Sequence, residues 1–127
     1  MPLTWRLDQA RRLIVATLTG PLAGADIQHW IDERRRTGVT GYRLIFDASS
    51  AELELHPAEM TALSRIAAEH KPEGFDGALA LIASSEAERD LGAYFARRTN
   101  SERPCRVFAT VEAAYSWFAE LDAAAPR

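Results

Sequence analysis

The chain of 127 residues has one cysteine, three histidines and no long apolar run. Cys105 has no second cysteine with which to form an internal disulfide, and one thiolate cannot build a cysteine cage for zinc. No apolar run approaches the roughly 20 residues that span a bilayer, which argues against an integral membrane protein. The chain also opens without a charged and then apolar leader. We therefore expect a cytoplasmic protein with a reduced cysteine.

An excess of positive charge is lacking as well. The 15 Lys and Arg residues are outnumbered by 18 Asp and Glu residues, which gives a formal net charge of -3. Such a chain has no general electrostatic attraction to nucleic acid or to an anionic membrane. The two basic clusters, Arg34-Arg35-Arg36 and Arg97-Arg98, end predicted helices, where the helix dipole favours cations. We interpret both clusters as helix ends and expect no nucleic-acid partner.

The signatures of common enzyme classes are absent too. The chain has no Gly-rich phosphate loop, no His-Glu-x-x-His and no Gly-x-Ser-x-Gly elbow. His29 and Glu33 are four residues apart on one predicted helix, with Asp26 three residues earlier, but ordinary helix surfaces have this spacing. Histidine is a common catalytic base, yet no spacing supplies His56 with a nucleophile. We expect no metal, no cofactor and no catalytic residue.

What the chain does have is an unbroken apolar run that ends in a carboxylate. Leu44, Ile45 and Phe46 precede Asp47, as in a strand of a parallel sheet that is covered on both faces. The carboxyl ends of such strands are where α/β folds bind their ligands. We therefore place residues 44–46 in the interior of a sheet, with helices on both sides.

The remaining periodicities predict an α/β fold in one domain, residues 1–127, whose length and 47% hydrophobic content suit a single core. Alternation from Leu3 to Asp8 predicts a strand, and a short turn leads back into an antiparallel second strand that we expect to end at Gly20-Pro21. Helical spacing then alternates with three further strands, in the order β-β-α-β-α-β-α-β-α. This order predicts a five-stranded mixed, mostly parallel sheet with four helices. Residues 48–56 are predicted to be an irregular loop.

Three stretches of the sequence resemble the SpoIIAA-like domains that are related to STAS modules. They are the opening hairpin followed by Gly20, the strand Ile45-Phe46-Asp47-Ala48-Ser49, and the closing Val107-Phe108-Ala109-Thr110-Val111-Glu112-Ala113-Ala114 with Trp117-Phe118. The resemblance extends over nearly the whole chain and implies a SpoIIAA-like β-α superhelix. The same superfamily includes relatives of the lipid-carrying CRAL-TRIO domains, which implies an apolar ligand as one alternative.

The resemblance also implies where a regulatory serine would lie. In the anti-sigma-factor antagonists of that superfamily, a strand ending in Asp-x-Ser leads to a helix that begins with an Asp-Ser-Ser-Gly phosphorylation motif. Asp47-Ala48-Ser49 is similar to the first element, but the helix here opens with His56-Pro57-Ala58. Ser49 and Ser50 lie six or more residues earlier. The resemblance therefore implies the fold without the phosphoserine switch.

Two sets of residues are candidates for a site. The first, a surface for a ligand or a partner, comprises Asp47, Ser49, Ser50 and His56. Asp47 also has a structural interpretation, because strand-end carboxylates often accept local backbone hydrogen bonds. The second is an apolar cleft between residues 48–56 and the helices that start near Pro57 and Ser85. Its candidate residues, each equally suited to a core, are Leu53, Leu55, Met60, Tyr94 and Phe95.

Two classes of function follow. The first is a non-catalytic regulatory or protein-interaction module of the STAS type that uses the surface after Asp47. The second is a carrier or sensor of a small, partly apolar, lipid-like ligand in the candidate cleft. An enzyme ranks third, because no catalytic constellation can be assembled. The expected partner is thus an unidentified protein or small molecule, and the exposed hairpin strand together with Trp30 and Trp117 leaves a homodimer open.

Overall fold

The structure, a computed structural model, describes residues 3–100 and 103–124. Its strands are β1 (Leu3–Asp8), β2 (Leu13–Ala23), β3 (Arg43–Glu54), β4 (Leu79–Ile82) and β5 (Cys105–Phe108). Its helices are α1 (Gly24–Arg36), α2 (Pro57–His70), α3 (Glu86–Thr99) and α4 (Val111–Ala124), with a 3-10 turn (Lys71–Glu73) after α2. The strands form one sheet in sequential order, with β1 antiparallel to β2 and the other pairs parallel. The predicted α/β fold is confirmed.

The central strand of this sheet is β3, which pairs with β2 on one side and β4 on the other. Leu44 is 3% exposed and Ile45 is fully buried. Leu44 packs in the core that α1, α2 and α3 share with the sheet, whereas Ile45 packs in the core beneath α4. Residues 44–46 therefore lie in the interior of the sheet with helices on both faces, as predicted.

The two faces of the sheet are covered unequally. Strands β2 to β5 are parallel and lie side by side in the order of the sequence. Right-handed crossovers between them therefore place α1, α2 and α3 on the same face of the sheet. Trp30, Met60 and Phe95 from these helices share one core with Leu44 of the sheet. Among the described elements, α4 alone packs on the other face, where Trp117 meets the β3 and β4 side chains. The first face is thus the one on which three helices enclose a common space.

The prediction that β2 ends at Gly20-Pro21 is wrong. Gly20 has a φ of +66° and pairs with Ala51 of β3, and Pro21 pairs with Glu52. The described pairs of β1 with β2 extend as far as Leu18, so among residues 3–100 and 103–124 no strand neighbours this edge of β2 beyond Leu18. Proline lacks an N–H group but is tolerated at such an edge. The parallel pairing with β3 therefore outweighs the local signal for a break.

Most of the predicted loop 48–56 is also strand, which corrects that prediction. Asp47 pairs with Thr17 and Ser50 with Thr19, so β3 has one residue more than β2 between these pairs. This β-bulge bends β3. Beyond the bulge the pairing of β2 with β3 resumes and continues to Glu54. Residues 19–23 and 50–54 form a two-stranded extension of the sheet, which no other strand of the described part of the chain joins.

The start of α3 is marked by a side-chain cap. The Ser85 hydroxyl oxygen accepts a hydrogen bond from the Glu88 N–H at 3.2 Å. The Glu88 carboxylate does not return to Ser85, and its Oε2 is buried with no partner among residues 3–100 and 103–124. Only half of the capping box therefore forms. At α2 the complementary half is present, because the Glu59 carboxylate accepts the His56 N–H at 3.1 Å.

Replacing Ser85 with alanine is expected to lower the free energy of unfolding by about 1 kcal/mol, since one N–H of the first turn of α3 loses its acceptor. Urea unfolding followed by circular dichroism measures the change. Ser85→Asp keeps an acceptor at the cap and serves as the control. An equal loss of stability in both variants would contradict a capping role.

Candidate functional site

A cavity of about 110 Å³ lies between the sheet and the three helices α1, α2 and α3. Its walls are almost wholly apolar. Representative lining residues from each element are Trp30, Leu44, Phe46, Met60, Leu79 and Phe95. For comparison, an engineered apolar cavity of about 150 Å³ stays dry and binds benzene. The space therefore has the scale of a small organic molecule rather than of a single buried water.

The sequence placed a cleft in this region, and most of its residues lie there. Leu53, Leu55, Met60 and Phe95 line the cavity. Tyr94 does not, because its hydroxyl lies 3.3 Å from the Thr61 hydroxyl and its ring lies beneath the Arg98 guanidinium at 4.6 Å. The cavity has a further wall, α1, that the sequence analysis did not include.

Arg34, in the last turn of α1, brings a charge to the cavity wall. It is only 5% exposed, and its guanidinium lies over the rings of Trp30 and Phe75, at 5.4 and 4.8 Å from their centroids. Its Nε has no hydrogen-bond partner in the described part of the chain. Burial, followed by the charge of Arg103, lowers the pKa of Arg34 to about 10. The group therefore stays cationic at neutral pH.

Arg103 contributes a second buried charge nearby. It is 6% exposed, and its Nε donates a hydrogen bond to the Gly77 carbonyl oxygen at 2.6 Å. Its Nη2 is buried without a partner among residues 3–100 and 103–124. Burial lowers the pKa of Arg103 to about 10, while Cys105 and Asp76 oppose this effect. Within those same residues, neither Arg34 nor Arg103 forms an ion pair within 4.0 Å.

Two other ionisable side chains line the cavity. His70, at the end of α2, is buried and contacts Phe75 edge-on at 6.1 Å between centroids. Burial, aided by the charge of Arg35, lowers the pKa of His70, so the neutral imidazole is favoured. Glu88 lies beyond the opposite end of β4, where its Oε2 is buried. The apolar space thus has cationic groups near the start of β4 and an acidic group near its end.

The Asp47 side chain lies on the other side of the sheet from the cavity. Phe46 and Ala48 line the cavity, and side chains alternate along a strand, so the Asp47 side chain points to the α4 face. The Asp47 Oδ1 accepts hydrogen bonds from the Ser49 N–H at 3.0 Å and from the Ser49 hydroxyl at 2.6 Å. The Ser84 hydroxyl donates to the Ser49 carbonyl oxygen at 3.0 Å. Asp47 therefore stabilises the bulge of β3.

The structure does not bring the four polar candidates together. Ser49 and Ser50 are exposed beside the bulge, next to Asp47. His56 is the residue before α2, and β3 continues for four residues, about 13 Å of strand, between Ser50 and Glu54. His56 is thus separated from the other three, and its position is that of a helix cap.

Cys105, at the start of β5, has the environment of a core residue. It is 4% exposed, and burial raises the pKa of its thiol to about 12. The reactive thiolate is therefore scarce at neutral pH.

Iodoacetamide at pH 8 is expected to leave Cys105 unmodified in the folded protein and to alkylate it fully in denaturant, because only unfolding exposes the thiol and restores its ordinary pKa. Intact-mass spectrometry after timed labelling measures the two rates. Native labelling as fast as that of the unfolded chain would contradict the buried position.

Metal-ligating residues do not cluster in the part of the chain that the structure describes. In residues 3–100 and 103–124, no three His, Cys, Asp or Glu side chains lie close enough to hold one metal ion. His29 Nε2 and Glu33 Oε2 are 3.8 Å apart on α1 and form only a pair. In those ranges, too, no helix combines the length and the apolar character that crossing a bilayer requires.

The two arginines at the cavity were missed from the sequence. Arg34 was interpreted as part of a basic helix end, yet it lies four residues after Trp30 and seven after Ile27, on the buried stripe of α1. This spacing was the signal that could have identified it. Arg103 lies in an irregular segment before β5, where no periodicity indicates burial.

Five strands in sequential order, with the first antiparallel and four helices, define a SpoIIAA-like α/β fold. The chain is similar to the crystal structure of an uncharacterised DUF3478 family protein with a SpoIIAA-like fold from Shewanella loihica PV-4. The TM-score is 0.59 at 15% sequence identity, over 91% of this chain and 92% of that one. This likeness concerns the fold. No family model and no curated protein matches the sequence.

Proposed function

We propose that the chain is a non-catalytic binding module that holds a small, partly apolar molecule in the cavity between the sheet and helices α1, α2 and α3. The observation that carries this proposal is the apolar cavity of about 110 Å³. Protein interiors are packed as densely as organic crystals, and voids much larger than a water molecule are few. A space of this size is therefore more than an ordinary packing defect.

The apolar walls can stabilise an occupant. A ligand that packs against them gains dispersion contacts and removes apolar surface from water without a change of fold. The protein then responds to the ligand through its stability, as a sensor or carrier does.

The chemistry of the lining favours binding over catalysis. Among residues 3–100 and 103–124, no Ser, Thr or Cys side chain lines the cavity, so the described lining contains none of the usual nucleophiles. His70 and Glu88 lie at opposite ends of β4, whose four residues span about 10 Å, so they do not form one acid–base pair. A regulatory protein-interaction role is the weaker proposal, because Asp47 already accepts two hydrogen bonds from Ser49.

Toluene, a neutral apolar probe, tests the proposal. It is expected to raise the free energy of unfolding by about 1.4 kcal/mol at ten times its Kd, measured by thermal and urea unfolding with and without the probe. Ala67→Leu fills part of the cavity and should abolish this effect, since Ala67 lines the space. Ala68→Leu is the matched control on the same helix, where Ala68 is partly exposed and outside the lining. No stabilisation by toluene, or an equal loss in both variants, would overturn the proposal.

A further inference from the structure

We propose that the ligand of this cavity is a monocarboxylic acid with a short apolar chain, whose carboxylate is held by the guanidinium groups of Arg34 and Arg103. This inference rests on the proposed function, because it assigns the chemistry of the molecule that the cavity holds.

The first support is the lack of a direct ion pair at either arginine. Buried charges in proteins are paired or bound to an ion, because an uncompensated charge in the interior is strongly unfavourable. Arg34 and Arg103 are 5% and 6% exposed and close enough to repel each other. Neither forms an ion pair within residues 3–100 and 103–124. A bound anion would supply the direct ion pair that both guanidinium groups lack, since Asp76 acts on Arg103 only from beyond ion-pair distance.

The second support is the set of donors left without acceptors. Arg34 Nε and Arg103 Nη2 are buried and have no partner in the described ranges, and both residues line the cavity. The Arg34 guanidinium packs against the rings of Trp30 and Phe75, and Arg103 is held by its bond to the Gly77 carbonyl oxygen. Both guanidinium groups are therefore oriented before a ligand binds. Two such donors match the two oxygens of a carboxylate, the group that guanidinium binds in planar geometry.

The third support is the apolar space that adjoins these donors. It is somewhat smaller than the cavity of about 150 Å³ that takes benzene, which favours a chain of about four to six carbons. Glu88 lies at the opposite end, beyond β4, with its Oε2 buried in the lining. A second carboxylate on the ligand would meet this acidic group and the apolar walls. The site therefore selects monocarboxylic over dicarboxylic acids.

The experiment compares molecules of the same size that differ in charge. Isothermal titration calorimetry with the full chain uses hexanoate, its neutral analogue hexanamide, the dicarboxylate adipate and inorganic phosphate. Hexanoate is expected to bind at least about tenfold more tightly than hexanamide, since it adds charge-assisted hydrogen bonds to two buried cations. Adipate and phosphate are expected to bind at least about tenfold more weakly than hexanoate.

Variants then assign the carboxylate to its residues. Arg34→Met and Arg103→Met keep a long apolar side chain but remove the fork, and each should weaken hexanoate at least about tenfold while leaving toluene binding unchanged. Arg35→Met is the matched control, because the neighbouring Arg35 is exposed and bonded to the Glu73 carboxylate. It should leave hexanoate binding unchanged.

The outcomes separate this inference from the proposed function. If toluene binds but hexanoate and hexanamide bind with equal affinity, the proposed function stands and the inference of a carboxylate ligand is overturned. If phosphate binds more tightly than hexanoate, the cavity is a general anion site, and the inference of a carboxylate ligand is again overturned. Failure of both toluene and hexanoate to bind would overturn the two proposals together. If the methionine variants do not fold, the comparison of hexanoate with hexanamide on the unaltered chain decides the question.

Discussion

Replacing Trp117 with alanine is expected to lower the free energy of unfolding by about 3–5 kcal/mol. Trp117 lies on α4 and is 6% exposed, with the rings of Phe108 and Phe118 each 5.5 Å away between centroids. Of the described elements, only α4 covers this face of the sheet, so few neighbouring side chains can move into the vacated space. Urea unfolding followed by far-ultraviolet circular dichroism measures the loss.

Trp5→Ala is the matched control for this truncation. Trp5 lies on the edge strand β1, is only partly buried, and donates its indole N–H to the Glu33 carboxylate at 3.3 Å. The same change of residue there leaves a site open to solvent rather than an enclosed cavity, and is expected to cost about 1 kcal/mol. Equal losses in the two variants would contradict the role of α4 as the cover of the second core.

The order of the elements could be predicted because each one has its own periodicity. The alternation from Leu3 to Asp8, the unbroken run of residues 44–46 and the helical stripe of α3 are local properties of the chain. Sequential strands joined by helices leave few topologies once crossovers are right-handed. The strand order and the burial of Leu44 and Ile45 follow from these two rules together.

The length of β2 and β3 could not be predicted in the same way. Gly20-Pro21 is a local signal for a break, and it is overridden by the partner strand β3, which no local pattern reports. Part of the signal was nevertheless present. The residues Ala51, Leu53 and Leu55 alternate with glutamates, which is the period of a half-buried strand. The bulge at residues 48–49 interrupts the alternation between this stretch and residues 44–47, so the two do not read as one strand.

The candidate site was predictable to the extent that it depends on apolar spacing. Leu53, Leu55, Met60 and Phe95 line the cavity because each lies on the inner side of its element. Charge was the misleading feature, since a run of three arginines is typical of a helix end in water. Whether Arg34 faces the interior depends on Trp30 and Phe75, and Phe75 lies about 40 residues away in a turn before β4. That contact depends on the packed fold.

Replacing Gly77 with alanine is expected to cost about 3 kcal/mol of unfolding free energy, at the upper end of the usual range for overpacking. A Cβ at Gly77 would overlap the Tyr42 carbonyl oxygen, which is backbone and cannot rotate away. The two segments are fixed in this approach, because the Leu44 N–H donates to the Ala78 carbonyl oxygen at 2.9 Å as β4 begins beside β3. Urea unfolding measures the cost.

Gly38→Ala is the control for Gly77→Ala, because it tests the cost of backbone conformation without the close contact of two backbone segments. Gly38 has a φ of +70°, but a Cβ there would have no atom within 4 Å, so alanine meets only the strain of the left-handed region, about 1 kcal/mol. Gly77→Ala should exceed it clearly, because the added methyl must separate β4 from β3. That separation also displaces the Gly77 carbonyl oxygen from Arg103 Nε. Equal costs for the two glycines would mean that β3 and β4 adjust without loss, and the contact would then not fix the position of Arg103.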